Sequence, residues 1–478
     1  MNPSCGSAIL DDDVLPRILC FCDIAHVLKI SETSRHMHEL VFFSKAVWLA
    51  ILSDLHAKHF VNLLPKQRLS DLTAIELLEL AKRIIGGPQS WSPSHPLGPT
   101  ISHQTTLKFT RPWNTNMLIG CKLLPGDRFL LYQNDITVQC WNLAKETLIW
   151  EYPLSDIDDR CKSVVPFDAE LAEDGRSVVV VLGLRVFGPF AQDRPNTVEV
   201  IRLDLITGKA DLLLRHRALD TGFDNPFSQC KISGDFILVK MNLENWSLLL
   251  KMSTAACMTF NVPGDPLNFD NGLVNGHMVT VKFLRGHESV VEFYDLESVF
   301  EIGSMTPFMS QTIDIDLPDT QLAFHLSINA SPFYEDQSTA WFRIPHSEVI
   351  LRAPSSLDFS HYTVIGLNKQ LLHPDSSPLP YSGHVVIGVH SVHSSEHLVL
   401  LLPQPGASAR HLALPAIRKH VNMTEFGGVV STYISAVLIL FKRLSAYSFP
   451  FTLEPIRDIL GHHRTMEFGG FPKGWNFF

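Results

Sequence analysis

Charge is scarce in this 478-residue sequence: Asp, Glu, Lys and Arg make up 18% of it, against about a quarter in ordinary globular domains. The hydrophobic share, 45%, is ordinary, which excludes global disorder and leaves enough apolar surface for a large core. Basic residues are in the minority, 39 against 49 acidic ones, for a net charge of −10. That sign excludes a chain-wide nucleic-acid surface. Only 8 cysteines are present; Cys20 and Cys22 stand close together, and no C-x-x-C pair exists. A zinc ribbon or a dithiol redox motif is therefore excluded, and reduced, mostly buried thiols are expected. The N-terminal residues have neither a basic region nor an apolar stretch of the signal-peptide kind. Long hydrophobic runs are missing as well. The longest, Ser177–Val186 and Gly427–Phe441, are too short to cross a bilayer as helices and read as buried strands. No membrane contact is expected, and the expected location is cytoplasmic, nuclear or both.

Signatures of catalysis are absent too. There is no Gly-x-Ser-x-Gly elbow, no Walker loop and no Gly-x-Gly-x-x-Gly, so neither a serine nucleophile nor a nucleotide cradle is written into the chain. The densest metal-like cluster is His390, His393 and His397, with His384 and Glu396 nearby. On one strand His390 and His393 would face opposite sides, so joint ligation needs a turn between them, which Ser391, Ser394 and Ser395 favour. A solvated loop is the preferred reading. Asp156, Asp158 and Asp159 read as an inter-strand loop. The expectation is a protein without enzyme activity, metal or cofactor.

What is present divides into two periods. From Leu10 to about Ile85 apolar residues recur at helical spacing, with Val14, Leu15, Ile18, Leu19 and Cys22 on one face. Pro16 is tolerated only in a first turn, so that helix is expected to start near Asp13. Ile24, Val27 and Leu28 mark a second helix, and residues 33–43 a third. Thr73 and Glu76 are spaced as a capping box that opens a helix over 77–85, closed by Gly86-Gly87-Pro88. Residues 89–102 are dense in Pro, Ser and Gly and read as a linker.

After about His103 the period becomes 2, in short β-branched and aromatic runs such as Arg128–Tyr132, Val198–Arg202, Met278–Phe283 and Ala436–Phe441. A loose repeat runs through them. Turn signals at Gly126, Gly175, Gly234, Gly276, Asp319, Gly383 and Gly427 each precede a strand and recur every 42 to 64 residues. Several units also end a strand in an aromatic-to-leucine phrase: Trp141–Leu143, Arg202–Leu205, Phe293–Leu296 and Trp341–Ile344. Blades of four strands take about 40–50 residues, so the spacing predicts a propeller of about seven blades. The expected fold class is thus α+β and multidomain, a small all-α unit followed by an all-β propeller. The expected divisions are 1–52, a helical extension 53–88, the linker 89–102 and the repeat domain 103–478.

The helical text Leu10–Leu15, Ile18-Leu19, Phe21–Ile24, Val27-Leu28, Thr33–Arg35, Leu40 and Val47–Leu49 resembles an F-box, over about Ile9 to Leu52. The family's Leu-Pro opening reads Leu10-Asp11 in this chain, with the proline at Pro16. With the helical extension and the β-rich remainder, the chain looks like F-box proteins abundant in mushroom-forming fungi. The β half resembles WD-type propellers, in a degenerate form that has no Trp-Asp dipeptide. The first resemblance implies docking on the Skp-type adaptor, and through it a cullin, of a ubiquitin ligase, with the propeller presenting an unidentified target protein. The adaptor-facing residues it implies are Leu10, Val14, Leu15, Ile18, Leu19, Ile24, Val27, Leu28, Leu40 and Trp48. Two other readings stay open. One is a propeller enzyme, a hydrolase or lyase, with a helical cap; the other is a scaffold acting outside any ligase.

Overall fold

The computed structural model describes most of residues 14–86, the strands between residues 101 and 441, and the short turns between the nearest of them. Residues 1–13, 87–100 and 442–478 and the longer connections lie outside the description, and side-chain surroundings are described only in the helices and the first four sheets.

Among the described residues, five α-helices precede the strands: α1 (Leu15–Leu19), α2 (Ile24–Ser31), α3 (Arg35–Phe43), α4 (Lys45–Ala57) and α5 (Ala74–Gly86). The third starts two residues later than its periodicity suggests, because Ser34 takes the cap position and accepts the Met37 N–H at 3.1 Å. The capping box is present. Glu76 accepts the Thr73 N–H at 2.8 Å, and Thr73 Oγ1 accepts the Glu76 N–H at 3.3 Å. One apolar core joins all five helices, from Leu19, Val27 and Val41 through Trp48, Leu52 and Leu55 to Leu77, Ala81 and Ile84. Position 52 falls inside α4, and this core extends on both sides of it.

The described strands form seven four-stranded antiparallel sheets. Sheet 1 holds β2 (Gly120–Leu123), β3 (Phe129–Gln133), β4 (Val138–Asn142) and β5 (Thr147–Glu151). Sheet 2 holds β6 (Lys162–Leu171), β7 (Ser177–Val186), β8 (Thr197–Asp204) and β9 (Ala210–Arg217). Sheet 3 holds β10 (Phe227–Ser233), β11 (Phe236–Met241), β12 (Trp246–Lys251) and β13 (Ala256–Asn261). Sheet 4 holds β14 (Phe269–Val274), β15 (His277–Phe283), β16 (Glu288–Asp295) and β17 (Met309–Asp314). Sheet 5 holds β18 (His325–Ala330), β19 (Ser338–Ile344), β20 (Ser347–Ala353) and β21 (Tyr362–Gly366). Sheet 6 holds β22 (Asp375–Pro378), β23 (His384–His390), β24 (Ser395–Leu401) and β25 (Arg410–Leu414). Sheet 7 combines β26 (Val421–Met423), β27 (Gly427–Ser431) and β28 (Ser435–Phe441) with β1 (Ile101–Lys108), the first strand of the chain.

Each of the first six sheets runs its strands in sequence order. The first strands are neighbours from β2 through β6, β10 and β14 to β18, and again from β22 through β26 back to β2. Radial repetition of four-stranded meanders around their first strands is the arrangement of a β-propeller, and the described sheets are consistent with it. Apolar faces explain the stacking. In β7, Val178, Val180, Leu182 and Leu184 join a core shared with sheet 1, while Val181 joins one shared with sheet 3. A strand buried on both faces reads as a continuous apolar run, and Ser177–Val186 is such a run.

Some expectations shift. The run Gly427–Phe441 contains two strands, β27 and β28, paired with each other. Six turn anchors fall between the first and second strands of a sheet or at the second strand's start, but Asp319 lies between sheets 4 and 5. The sequence between the first two strands of sheet 5, residues 331–337, has no glycine to announce it. The phrase Trp341–Ile344 ends a second strand, whereas the other three end third strands. A sixth helix, α6 (Leu296–Ile302), interrupts the strands of sheet 4, with Asp295 accepting the Glu297 N–H at its start.

Candidate functional site

Two features of the described residues depart from plain structural need: an exposed apolar stripe on the first helix, and a polar seam at the first strands of the sheets.

In α1, Pro16 sits in the first turn, where its missing N–H is not needed. The Ile18 N–H donates to Val14 O at 3.1 Å and the Phe21 N–H to Ile18 O at 3.0 Å, so helical winding continues past Leu19. Val14, Ile18 and Phe21 are then spaced i, i+4 and i+7 and share one side of the helix. All three are exposed, at 41%, 46% and 93%. Leu19 points the other way into the core.

The ten adaptor-facing residues of the sequence reading divide accordingly. Val14 and Ile18 are exposed and Leu15 is half-buried. Leu19, Ile24, Val27 and Trp48 are core residues, and Leu28 and Leu40 pack against that core. The four core side chains hold the helices together, while Leu28 and Leu40 stay partly exposed. Leu10 lies outside the described residues. Phe21 belongs to the exposed stripe, and its signal in the sequence was its spacing of seven from Val14.

The seam is built by side chains that cross from one sheet to the next. Lys122 Nζ on β2 lies 2.5 Å from Asp168 Oδ1 on β6, and Asp168 Oδ2 accepts the Ile232 N–H of β10 at 3.1 Å. Glu170 accepts the Gly234 N–H at 2.8 Å. Burial raises the Glu170 pKa above the usual carboxylate value, and the Gly234 N–H opposes that shift. Between sheets 3 and 4, Lys240 on β11 is paired with the buried Asp270 on β14. Asn271 Nδ2 donates to Ser247 Oγ of β12 at 3.4 Å. Within sheet 4, Lys282 lies 2.7 Å from Glu292, which also accepts the Tyr294 hydroxyl at 2.5 Å. Lys231 of β10 is half-buried; its burial lowers its pKa and the charge of Asp168 opposes this.

These groups can bind and bridge. Among the described residues, no three His, Cys, Asp or Glu side chains converge where a metal ion could sit. His384 and His390 stand at opposite ends of β23, His397 is opposite Gly388 in the β23–β24 register, and His393 lies outside the described residues. The acidic loop at Asp156, Asp158 and Asp159 also lies outside them.

No family model and no curated protein matches the chain. Among solved structures, the chain is similar to the Cps50 (Swd1) β-propeller domain of Myceliophteria thermophila, with 10% identity and a TM-score of 0.45, over 71% of this chain and 99% of that one. It is similar also to the WD40 domain of SCAP from fission yeast, with 9% identity and a TM-score of 0.40, over 67% and 84%. A third similar structure is an oligogalacturonate lyase in complex with manganese, with 14% identity and a TM-score of 0.38, over 63% and 80%. The fold assignment rests on the sheets themselves.

Proposed function

We propose that this chain is the target-recognition subunit of a Skp–cullin–F-box type ubiquitin ligase. The helical unit docks on the adaptor, and the sheet domain holds a target protein. The observation that carries this reading is the exposed stripe Val14, Ile18 and Phe21 on a helical unit that already has a complete core of its own. Apolar side chains left outside such a core mark a surface made to be covered. In this proposal the seven sheets close into a seven-bladed ring, with β1 completing the last blade. The ring offers its loops to the target and raises the effective concentration of target lysines near the ubiquitin carrier. No residue of the chain carries out a covalent step, and the complex works in the cytoplasm, the nucleus or both.

The test is co-purification of the full chain with a recombinant Skp-type adaptor. The triple variant Val14→Asp, Ile18→Asp, Phe21→Asp should lose the complex while its circular dichroism stays unchanged. Absence of binding by the wild type, or equal binding by the folded triple variant, would overturn the proposal.

A further inference from the structure

The outer strand of sheet 2 lacks the protection that sheet edges ordinarily carry. β9 is the last strand in the order β6–β7–β8–β9, so among the described residues its far side pairs with no other strand. Such an edge presents backbone N–H and C=O groups that can pair with another chain, and proteins usually blunt it by shortness, Lys or Pro. β9 has eight residues and neither Lys nor Pro, whereas the outer strands of sheets 1 and 3 have five and six residues. Leu212 and Leu213 are both exposed, at 50% and 48%. Regular alternation would turn one of them inward. The β8–β9 register breaks at this point, with Val200 opposite Leu214 and Ile201 opposite Leu212, so Leu213 has no cross-strand counterpart.

Charge selects the occupant. Asp211 stands near the start of β9 and Arg215 and Arg217 near its end, all three exposed. Arg215 is committed to the buried Glu199 at 2.8 Å, which leaves Arg217 to meet another chain. Asp211 is paired with Lys209 at 3.1 Å, but both side chains are largely exposed, at 62% and 75%, and such a pair exchanges at little cost. A strand with an anion near one end and a cation near the other is complementary to itself when two copies run antiparallel. We propose that β9 pairs with β9 of a second copy of this chain about a two-fold axis at Leu214, with Asp211 of each copy opposite Arg217 of the other. In that register Leu214 stands opposite Leu214, and Leu212 and Leu213 lie against the second strand. An eight-residue edge buries less area than a permanent dimer needs, so the pairing is reversible. It does not depend on the docking of the helical unit.

Sedimentation velocity on the full chain, between about 1 and about 100 µM, tests it. The wild type should be mostly monomer at the low end and mostly dimer at the high end. Asp211→Arg and Arg217→Asp should each weaken self-association about tenfold, because like charges then face each other. Mixed in equal amounts, these two variants should form a heterodimer as tight as the wild-type dimer, since each supplies the charge that the other has lost. Leu213→Lys should leave a monomer with unchanged circular dichroism. A wild type that stays monomeric at about 100 µM would overturn the pairing. So would a dimer indifferent to either charge reversal or to Leu213→Lys, or two folded charge variants that fail to associate when mixed.

Discussion

The helical unit and the sheet domain bury their apolar surface in different ways. The helices share one core in which Trp48 is 1% exposed and α1, α4 and α5 all meet. The sheets divide the task among successive cores, one between each described pair, with polar bridges such as Lys122–Asp168 at the inner ends. A single core fails as a whole when its central residue is removed. A stack of interfaces can lose one contact and keep the rest, which makes its failures local.

Trp48→Ala should have the largest effect. It is expected to cost about 3–5 kcal/mol and to unfold the helices while the β signal survives, as two separate transitions in circular dichroism would record. A single shared transition would break the contrast between the regions. Gly208→Ala comes next. Gly208 has φ +72°, and a Cβ there would sit 2.4 Å from the Ile149 carbonyl oxygen of sheet 1. The strain is expected to cost about 1–3 kcal/mol, with lost hydrogen-exchange protection confined to sheets 1 and 2. Spread of that loss to sheet 4 would mean that the sheets fail together.

The smallest effect concerns pH. Burial pushes the Asp174 carboxyl up, but the Ser177 and Arg176 N–H groups, the Ser177 hydroxyl and Arg202 together outweigh it and hold the group down to about 2 against an ordinary 3.8. Its folded-state pKa is the lower one, so its contribution is complete above the ordinary carboxylate range and drains away as pH falls through about 2. Asp174→Asn should lower stability at pH 7 by no more than about 1 kcal/mol, since solvent screens the group, and by only a small part of that near pH 2. Melting curves at the two pH values measure the difference. An effect of equal size at both would assign Asp174 a purely packing role.

Legibility in the sequence follows burial. The second and third strands, among them β3, β4, β7, β8 and β11, are buried along most of their length and stand out as apolar runs. Outer strands such as β9, where Leu212 and Leu213 are exposed, and polar first strands such as β10 carry no such signal. Sheet 5 fell out of phase in the repeat because the sequence joining its first two strands lacks glycine. On α1 the spacing of Val14, Ile18 and Phe21 was readable. That they face outward while Leu19 faces inward depends on which side the other helices cover.

Local sequence was enough for the change of period near residue 103, the capping box at Thr73 and Glu76, the turn glycines and the alternation that makes strands pair with their neighbours. These are local properties, set within a few residues by backbone geometry and apolar spacing. The packing of the whole domain was needed to bring β1 to β28, more than three hundred residues away, and to set Lys122 against Asp168 and Lys240 against Asp270. The stacking of one sheet's inner face on the next makes those meetings. The pattern of each strand specifies that it has a buried face, but not which polar groups the neighbouring sheet will set against it.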